Sequence, residues 1–268
     1  YNVLSVKPKY AKQINVYGNS RTFDNVIRRE LELIEGDAVY KSQIERIQKK
    51  LNSLNLFKSV EIVEKEIDEN LVNIEINVEE KQTGSVNAGV SVGTIDGFAV
   101  VAGLSERNFY GSGRSVKALL NTSEDRNQYT FETTDRLSYE NDIDLTYRAN
   151  FIQEDFSNAS SYKLDTFTTG VGLGYKVNDQ LIHNLQLDYV IKDYSITNSS
   201  TVASAISKSS GENVSFILSS NLLYSTLNSG FIPKNGRYIK FSNFIETPSS
   251  SNNGYLRNIV TYKNYKSI

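Results

Sequence analysis

Very few residues in this chain are of a type and spacing that could do chemistry. It holds one histidine, His183, and no cysteine. That excludes multi-histidine metal sites, thiolate zinc sites, iron–sulfur ligation and cysteine nucleophiles. His183 is the only possible imidazole base, and no Gly-x-Ser-x-Gly turn offers it a nucleophile. It reads as a turn or interface residue. Asp142 and Asp144 share one face of an alternating segment, so they read as lumen or solvent positions rather than as a catalytic carboxylate pair. Gly111-Ser112-Gly113 is too short for a phosphate loop, and no Walker lysine follows it. The expectation is therefore a protein with no catalytic residue, no metal and no cofactor. A net charge of −2 and an isoelectric point near 5.7 argue against nucleic acid as a partner.

Other functions must then come from the elements themselves. Residues 11–81 mix helical and strand periods. Gln13-Ile14-Asn15-Val16-Tyr17 alternates and stops at Gly18-Asn19. Phe23, Val26, Ile27, Leu31 and Ile34 are spaced as one helical face, with Thr22 placed to cap the helix and Asp24 in its first turn. Glu35-Gly36-Asp37 breaks that pattern. A second helix is expected over 41–54, with Ile44, Ile47, Leu51 and Leu54 as its apolar stripe. Residues 60–63 and 71–78 then alternate, with Ile67-Asp68-Glu69-Asn70 as the turn. The order is β-α-α-β-β, which would bury one sheet face under two helices.

From residue 84 the helical period is gone. Val86, Ala88, Val90 and Val92 alternate with Ser85, Asn87, Gly89 and Ser91. Asp96-Gly97 signals a hairpin, and 98–104 runs back. Ile143, Leu145, Tyr147, Ala149 and Phe151 alternate with polar residues. Phe167, Val171, Leu173 and Tyr175 face away from Gly170, Gly172 and Gly174, and Leu185, Leu187, Tyr189 and Ile191 continue the habit. About ten strands fit between 84 and 268.

A soluble sandwich shares this alternation. Segments of about ten residues with Tyr or Phe near their ends fit tilted membrane strands with aromatic girdles better. Mean hydropathy of −0.39 does not oppose this, because barrel strands hide from averages. The turn at 178–180 is tight, whereas 198–212 and 249–254 read as loops, as in outer-membrane barrels. The run 255–265 has no closing partner, which lipid would not tolerate, so further C-terminal strands are expected. The chain also lacks methionine and a signal peptide, as expected of a piece of a longer or processed protein.

Several stretches together carry a family resemblance. They are Ile14-Asn15-Val16-Tyr17-Gly18-Asn19, Val26-Ile27-Arg28-Arg29-Glu30 with Glu35-Gly36-Asp37, and Leu51-Asn52-Ser53-Leu54-Asn55-Leu56-Phe57-Lys58-Ser59-Val60. Val78-Glu79-Glu80-Lys81-Gln82-Thr83-Gly84-Ser85-Val86, Asn108-Phe109-Tyr110-Gly111-Ser112-Gly113 and Leu227-Asn228-Ser229-Gly230-Phe231-Ile232-Pro233-Lys234-Asn235-Gly236 follow in the same order. The chain resembles the BamA family of outer-membrane assembly factors. Its parts would be the last POTRA domain (11–81) and the N-terminal part of the barrel (84–268), with residues 1–10 a remnant of a preceding repeat or a linker.

The resemblance implies an α+β POTRA domain in the periplasm and an antiparallel transmembrane barrel, incomplete here, in the outer membrane. Family barrels have about sixteen strands, whose first and last members meet in a weak seam. It implies that unfolded outer-membrane client proteins pair with the first strand, so the seam residues are Gly84, Ser85, Val86, Asn87, Ala88, Gly89, Val90, Ser91, Val92 and Gly93. Pairing through the backbone is sequence-tolerant and needs neither nucleophile nor nucleotide. The implied partners also include outer-membrane lipid and periplasmic lipoprotein subunits of an assembly complex, contacted through Arg28, Arg29 and Glu35. Leu31-Glu32-Leu33 departs from the more basic sequence of some members. A related POTRA-barrel transporter, of two-partner-secretion or translocation-and-assembly type, is the alternative.

Overall fold

The computed structural model describes residues 8–93, 97–138, 143–229, 232–249 and 253–267. Asp96, Asp142, Gly230, Phe231 and most of the segment before Lys9 lie outside them, as does part of the 249–254 loop. The chain forms two compact units. One runs to Gly84 and also takes in Glu106–Ser115; the other comprises Ser85–Ser105 and Val116–Ile268.

In the first unit, β1 (Lys9–Tyr17) is followed by α1 (Asp24–Arg28), β2 (Ala38–Val39), α2 (Lys41–Ser53), β3 (Phe57–Asp68) and β4 (Leu71–Glu80). The sheet order is β2-β1-β4-β3, with β1 parallel to β4 and the other pairs antiparallel. Alternation decides the core. Val72, Ile74, Ile76 and Val78 face inward and are buried, against Ile44, Ile47 and Leu51 of α2 and Val26 and Ile27 of α1. Each such side chain contributes about 1.5–3 kcal/mol by leaving water.

Three expectations need correction. The first helix is one short turn and a half, and ends at Arg28. Beyond it Leu33 is buried, whereas Phe23 and Ile34, two members of the expected face, are exposed. Thr22 does not cap α1; Phe23 holds the N-cap position without a side-chain bond. Finally, β3 runs on through Asp68, into the expected turn, and a two-residue strand, β2, that was not expected follows directly after the Glu35-Gly36-Asp37 breaker.

The second unit is a ten-stranded antiparallel sheet, an open partial barrel. Its strands are β5 (Gly84–Gly93), β6 (Gly97–Phe109), β7 (Arg114–Ser123), β8 (Arg126–Ser138), β9 (Ile143–Asp155), β10 (Tyr162–Asn178), β11 (Leu181–Ile196), β12 (Gly211–Ser225), β13 (Gly236–Glu246) and β14 (Tyr255–Tyr265). They lie in sequence order, with β5 and β14 at the edges. Two short helices, α3 (Ser157–Ser160) and α4 (Ser204–Lys208), sit in connections on the long-loop side.

The polar face is the covered one. Asp188, Asn213, Ser215, Ser219, Ser242 and Glu246 are buried, while Phe167, Leu187, Phe216, Leu218 and Phe241 on the opposite face are exposed. A soluble sandwich would have these reversed, whereas a membrane barrel has this arrangement. The 178–180 turn is tight because the Asn178 side chain accepts from the Gln180 and Leu181 backbones at 2.9 and 3.0 Å. The expected division into short turns and long loops is not strict. The β12–β13 connection is long yet lies on the tight-turn side, folded on Asn228, which accepts from the Lys234 and Asn235 backbones at 3.0 Å each. The β7–β8 turn, on the long-loop side, is closed by Ser123 in two residues.

Candidate functional site: an exposed edge strand and its anchorage

Strand β5 is exposed along all ten residues. Among the described residues it has one neighbour, β6, and it stands at one end of the sheet as β14 stands at the other. Val86 (78%), Val90 (70%) and Val92 (82%) are among the most exposed large apolar residues of the protein. On the inner face Asn87 lies over Gly103 of β6, where a Cβ would overlap its carboxamide. Gly84, Ser85, Gly89, Ser91 and Gly93 add little side chain to hold the strand in place.

What precedes β5 is fastened tightly. Glu80, at the end of β4, accepts hydrogen bonds from Ser20 Oγ (2.9 Å), the Arg21 backbone (3.0 Å) and the Thr22 backbone (2.6 Å). Burial alone would raise this carboxyl; the hydrogen bonds donated by Thr22, Ser20 and the Arg21 backbone outweigh it and hold its pKa at about 2. Lys81 donates its backbone N–H to Leu56 at 3.2 Å. Thr83 then hydrogen-bonds Glu106, which also accepts from the Asn108 backbone at 2.8 Å.

Asn108 is the centre of this anchorage. Its side chain donates to Thr22 Oγ1 and accepts from the Gly113 backbone, both at 2.8 Å. The Phe23 backbone donates to the Gly111 carbonyl at 2.8 Å. Gly111 is in the left-handed region (φ 75°), and a Cβ there would overlap the Arg21 carbonyl. Thr22, the residue expected to cap a helix, is instead buried in this contact. Sequence reading found Asn108-Phe109-Tyr110-Gly111-Ser112-Gly113 only as a family likeness. The paired glycines were the visible signal; the contact across 86 residues was not.

The three charged residues expected on one partner surface separate. Arg28 pairs with Asp24 and donates to the Ile14 carbonyl at 3.0 Å. Glu35 accepts from the Ile14 backbone N–H at 3.2 Å. Both thus satisfy one residue of β1 beyond its short pairing with β2, and both stay exposed. Arg29 points elsewhere: its guanidinium lies where a Cβ at Gly113 would be. His183 sits in β11, with Tyr175 Oη and Ser220 Oγ each 2.8 Å from a ring nitrogen. Asp144 faces Arg136 at 3.4 Å.

The inner wall carries a charge row. Glu132, Arg148, Gly170 and Asp188 stand opposite one another on β8, β9, β10 and β11. Arg148 reaches across Gly170 to make a two-pronged bond to Asp188, at 3.0 and 2.5 Å. Any Cβ at 170 would collide with the Asp188 carboxylate. Gln186 donates to Asp188 as well, at 2.9 Å.

Comparison with known proteins agrees with this architecture. The Omp85 superfamily domain matches residues 108–268. The chain belongs to the Omp85 superfamily. A POTRA model, described as a surface antigen variable number repeat, matches residues 9–81. The chain is 26% identical over 246 residues to the outer membrane protein assembly factor BamA of Neorickettsia risticii, covering 91% of this chain and 33% of that protein. It is 25% identical over 280 residues to the BamA of Nitratidesulfovibrio vulgaris, covering 100% of this chain and 34% of that protein. The chain thus spans about a third of the length of these relatives.

Among solved structures, BamA from Haemophilus ducreyi lacking POTRA domains 1–3 superposes with a TM-score of 0.77 at 22% identity, over 96% of this chain and 51% of that one. CdiB from Escherichia coli gives 0.61 at 13% identity, over 95% and 50%. The Omp85 fold is therefore broader than one activity. This is an outer-membrane protein whose POTRA domain lies in the periplasm.

Proposed function

We propose that the protein folds and inserts β-barrel proteins into the outer membrane, and that the free edge of β5 is where a client strand pairs. The observation that carries this is the make-up of β5: five glycines or serines among its ten residues, in the first strand of the sheet, beginning four residues after an anchored strand end. Backbone pairing supplies affinity without sequence demands, and the valines facing lipid would continue into a client wall. The BamA relatives support the same reading.

The test uses the full-length protein in lipid vesicles with an unfolded outer-membrane protein, the folded fraction being read by heat-modifiable gel mobility. Neighbouring backbone N–H groups on a strand point to opposite edges. Ala88→Pro and Gly89→Pro therefore remove one donor from each edge, and one of the two spares the β6 pairing. The expected result is accelerated folding that this variant abolishes. No acceleration, with export of a polypeptide instead, would move the protein to the transporter reading.

Arg28, Arg29 and Glu35 are proposed to contact a periplasmic lipoprotein partner, with Arg28 and Glu35 the accessible pair. Glu35→Gln is expected to weaken co-purification of that partner about tenfold or less, as for a surface ion pair. Unchanged co-purification would remove Glu35 from the contact.

A further inference from the structure

On the lipid-facing side of the sheet, an apolar trough ends against a pair of carboxylates. The trough holds about 520 Å³ and is lined chiefly from β6 to β10. That volume is in the range of ligand sites. Ala102, Ala118 and Ala149 line it with single methyl groups, beside the rings of Tyr129, Phe151 and Phe167. Those three rings stand opposite one another on β8, β9 and β10, with Tyr129 and Phe151 stacked at 6.3 Å. An aromatic row on the outer face of a membrane barrel marks the border between hydrocarbon and headgroups.

One step along the same face, toward the long loops, the row becomes Asn127, Gln153, Asp165 and Asp193, again in register from β8 to β11. At about 3.3 Å per residue, this row lies about 7 Å beyond the rings. A second cavity, of about 270 Å³, opens there. The lysine that lines it, Lys163, is already paired with Asp155 at 2.6 Å. Asp165 and Asp193 face each other directly, and among the described residues no hydrogen bond or ion pair engages either carboxylate. Like charges directly opposite one another destabilise a sheet, so the pair calls for a cation. Among the described residues no group of three or more His, Asp or Glu side chains is placed to hold a metal ion, which favours an organic cation. Strands β6–β11 have neighbours on either side, so neither feature is an edge of the sheet.

We propose that the trough and the carboxylate pair together bind one phospholipid with a primary ammonium headgroup, phosphatidylethanolamine, its acyl chain laid in the trough and its ammonium between Asp165 and Asp193. The occupant follows from complementarity. An apolar channel beside bare carboxylates suits a molecule with a hydrocarbon chain at one end and a positive charge at the other. A primary ammonium offers three donors to the two carboxylates. A lipid whose only head charge is a phosphate is repelled by them. The site is on the outer wall and does not depend on strand pairing at β5.

The test is native mass spectrometry of the purified full-length protein, released from vesicles of equal parts phosphatidylethanolamine and phosphatidylglycerol, with and without magnesium. Phosphatidylethanolamine is expected to be retained about fivefold over phosphatidylglycerol, the factor that one partly exposed ion pair supplies. Asp165→Asn combined with Asp193→Asn should bring that ratio to about one, with lipid still retained. Ala149→Phe, which fills the trough, should cut retention of both lipids, and heat-modifiable mobility confirms that each variant is folded. A ratio near one in the native protein would overturn the proposal. So would retention of phosphatidylglycerol only with magnesium, which would make the pair a metal-bridged phosphate site. A ratio unchanged in the double variant, or retention indifferent to Ala149→Phe, would overturn it equally.

Discussion

In the POTRA unit, Val72, Ile74, Ile76 and Val78 turn inward, while Asn73, Glu75, Asn77 and Glu79 turn out. In the ten-stranded sheet the same alternation runs with its sides exchanged: Asp188 and Ser219 are covered, Leu187 and Leu218 exposed. Of the eighteen buried hydrophobic residues among those described, fifteen belong to the POTRA core. One region is held together by expelling water from its interior. The other satisfies a polar interior with hydrogen bonds and ion pairs and leaves its apolar face to lipid. Period-2 patterning therefore locates strands in both units, but only the neighbours of each residue tell which side is inside.

The largest way to break this comparison is at the polar interior. Gly170→Val would force Asp188 away from Arg148 and leave a buried charge unpaired, at a cost on the order of 3–5 kcal/mol. Urea unfolding in vesicles, followed by heat-modifiable mobility, measures it. A loss as small as that of an ordinary surface change would mean the charge row does not hold the wall. Next comes a matched pair of apolar truncations. Ile74→Ala should cost the POTRA unit about 3 kcal/mol, whereas Leu218→Ala should change the barrel by no more than about 0.5 kcal/mol, since lipid replaces the lost contacts. Equal losses at the two positions would contradict the reversed reading.

A smaller loss than at Gly170 or Ile74 is expected at the anchor. Glu80→Gln weakens the acceptor for the Arg21 and Thr22 backbones and should cost about 1–2 kcal/mol. The sign with pH follows from the lowered pKa. The carboxylate's contribution is complete above the unfolded value near 4.3, and is lost as pH falls from there toward about 2. Acid titration of POTRA unfolding should show this slope in the native protein and lose it in the variant.

Much of this architecture was legible in the sequence for plain physical reasons. Strict alternation at 143–151 and 167–175 can be satisfied only by strands, and both segments lie in β9 and β10. Ile44, Ile47 and Leu51 needed only helical spacing to mark the buried face of α2. The first helix misled because Phe23 and Ile34 fall on a helical face by count, while the chain leaves the helix after Arg28 and buries Leu33 instead. Other features were hidden because they join distant segments. The bond from Asn108 to Thr22 depends on a turn lying against a site far earlier in the chain. Likewise, Arg28 and Glu35 look like free surface charges until Ile14 is seen between them. The glycines of β10 signalled a bare inner face, but not that Gly170 makes room for the Arg148–Asp188 pair.

The claim that clients pair along β5 is tested most directly by disulfide trapping in the full-length protein. This stretch has no native cysteine, so single cysteines can be placed at Val86, Ala88 and Val90 and scanned against cysteines along a client's terminal strand. A paired strand predicts cross-links to every second client position, shifting in step as the β5 cysteine moves by two residues. Cross-links of equal strength at all client positions, or stronger ones to a cysteine at Thr146 on the inner wall, would contradict it.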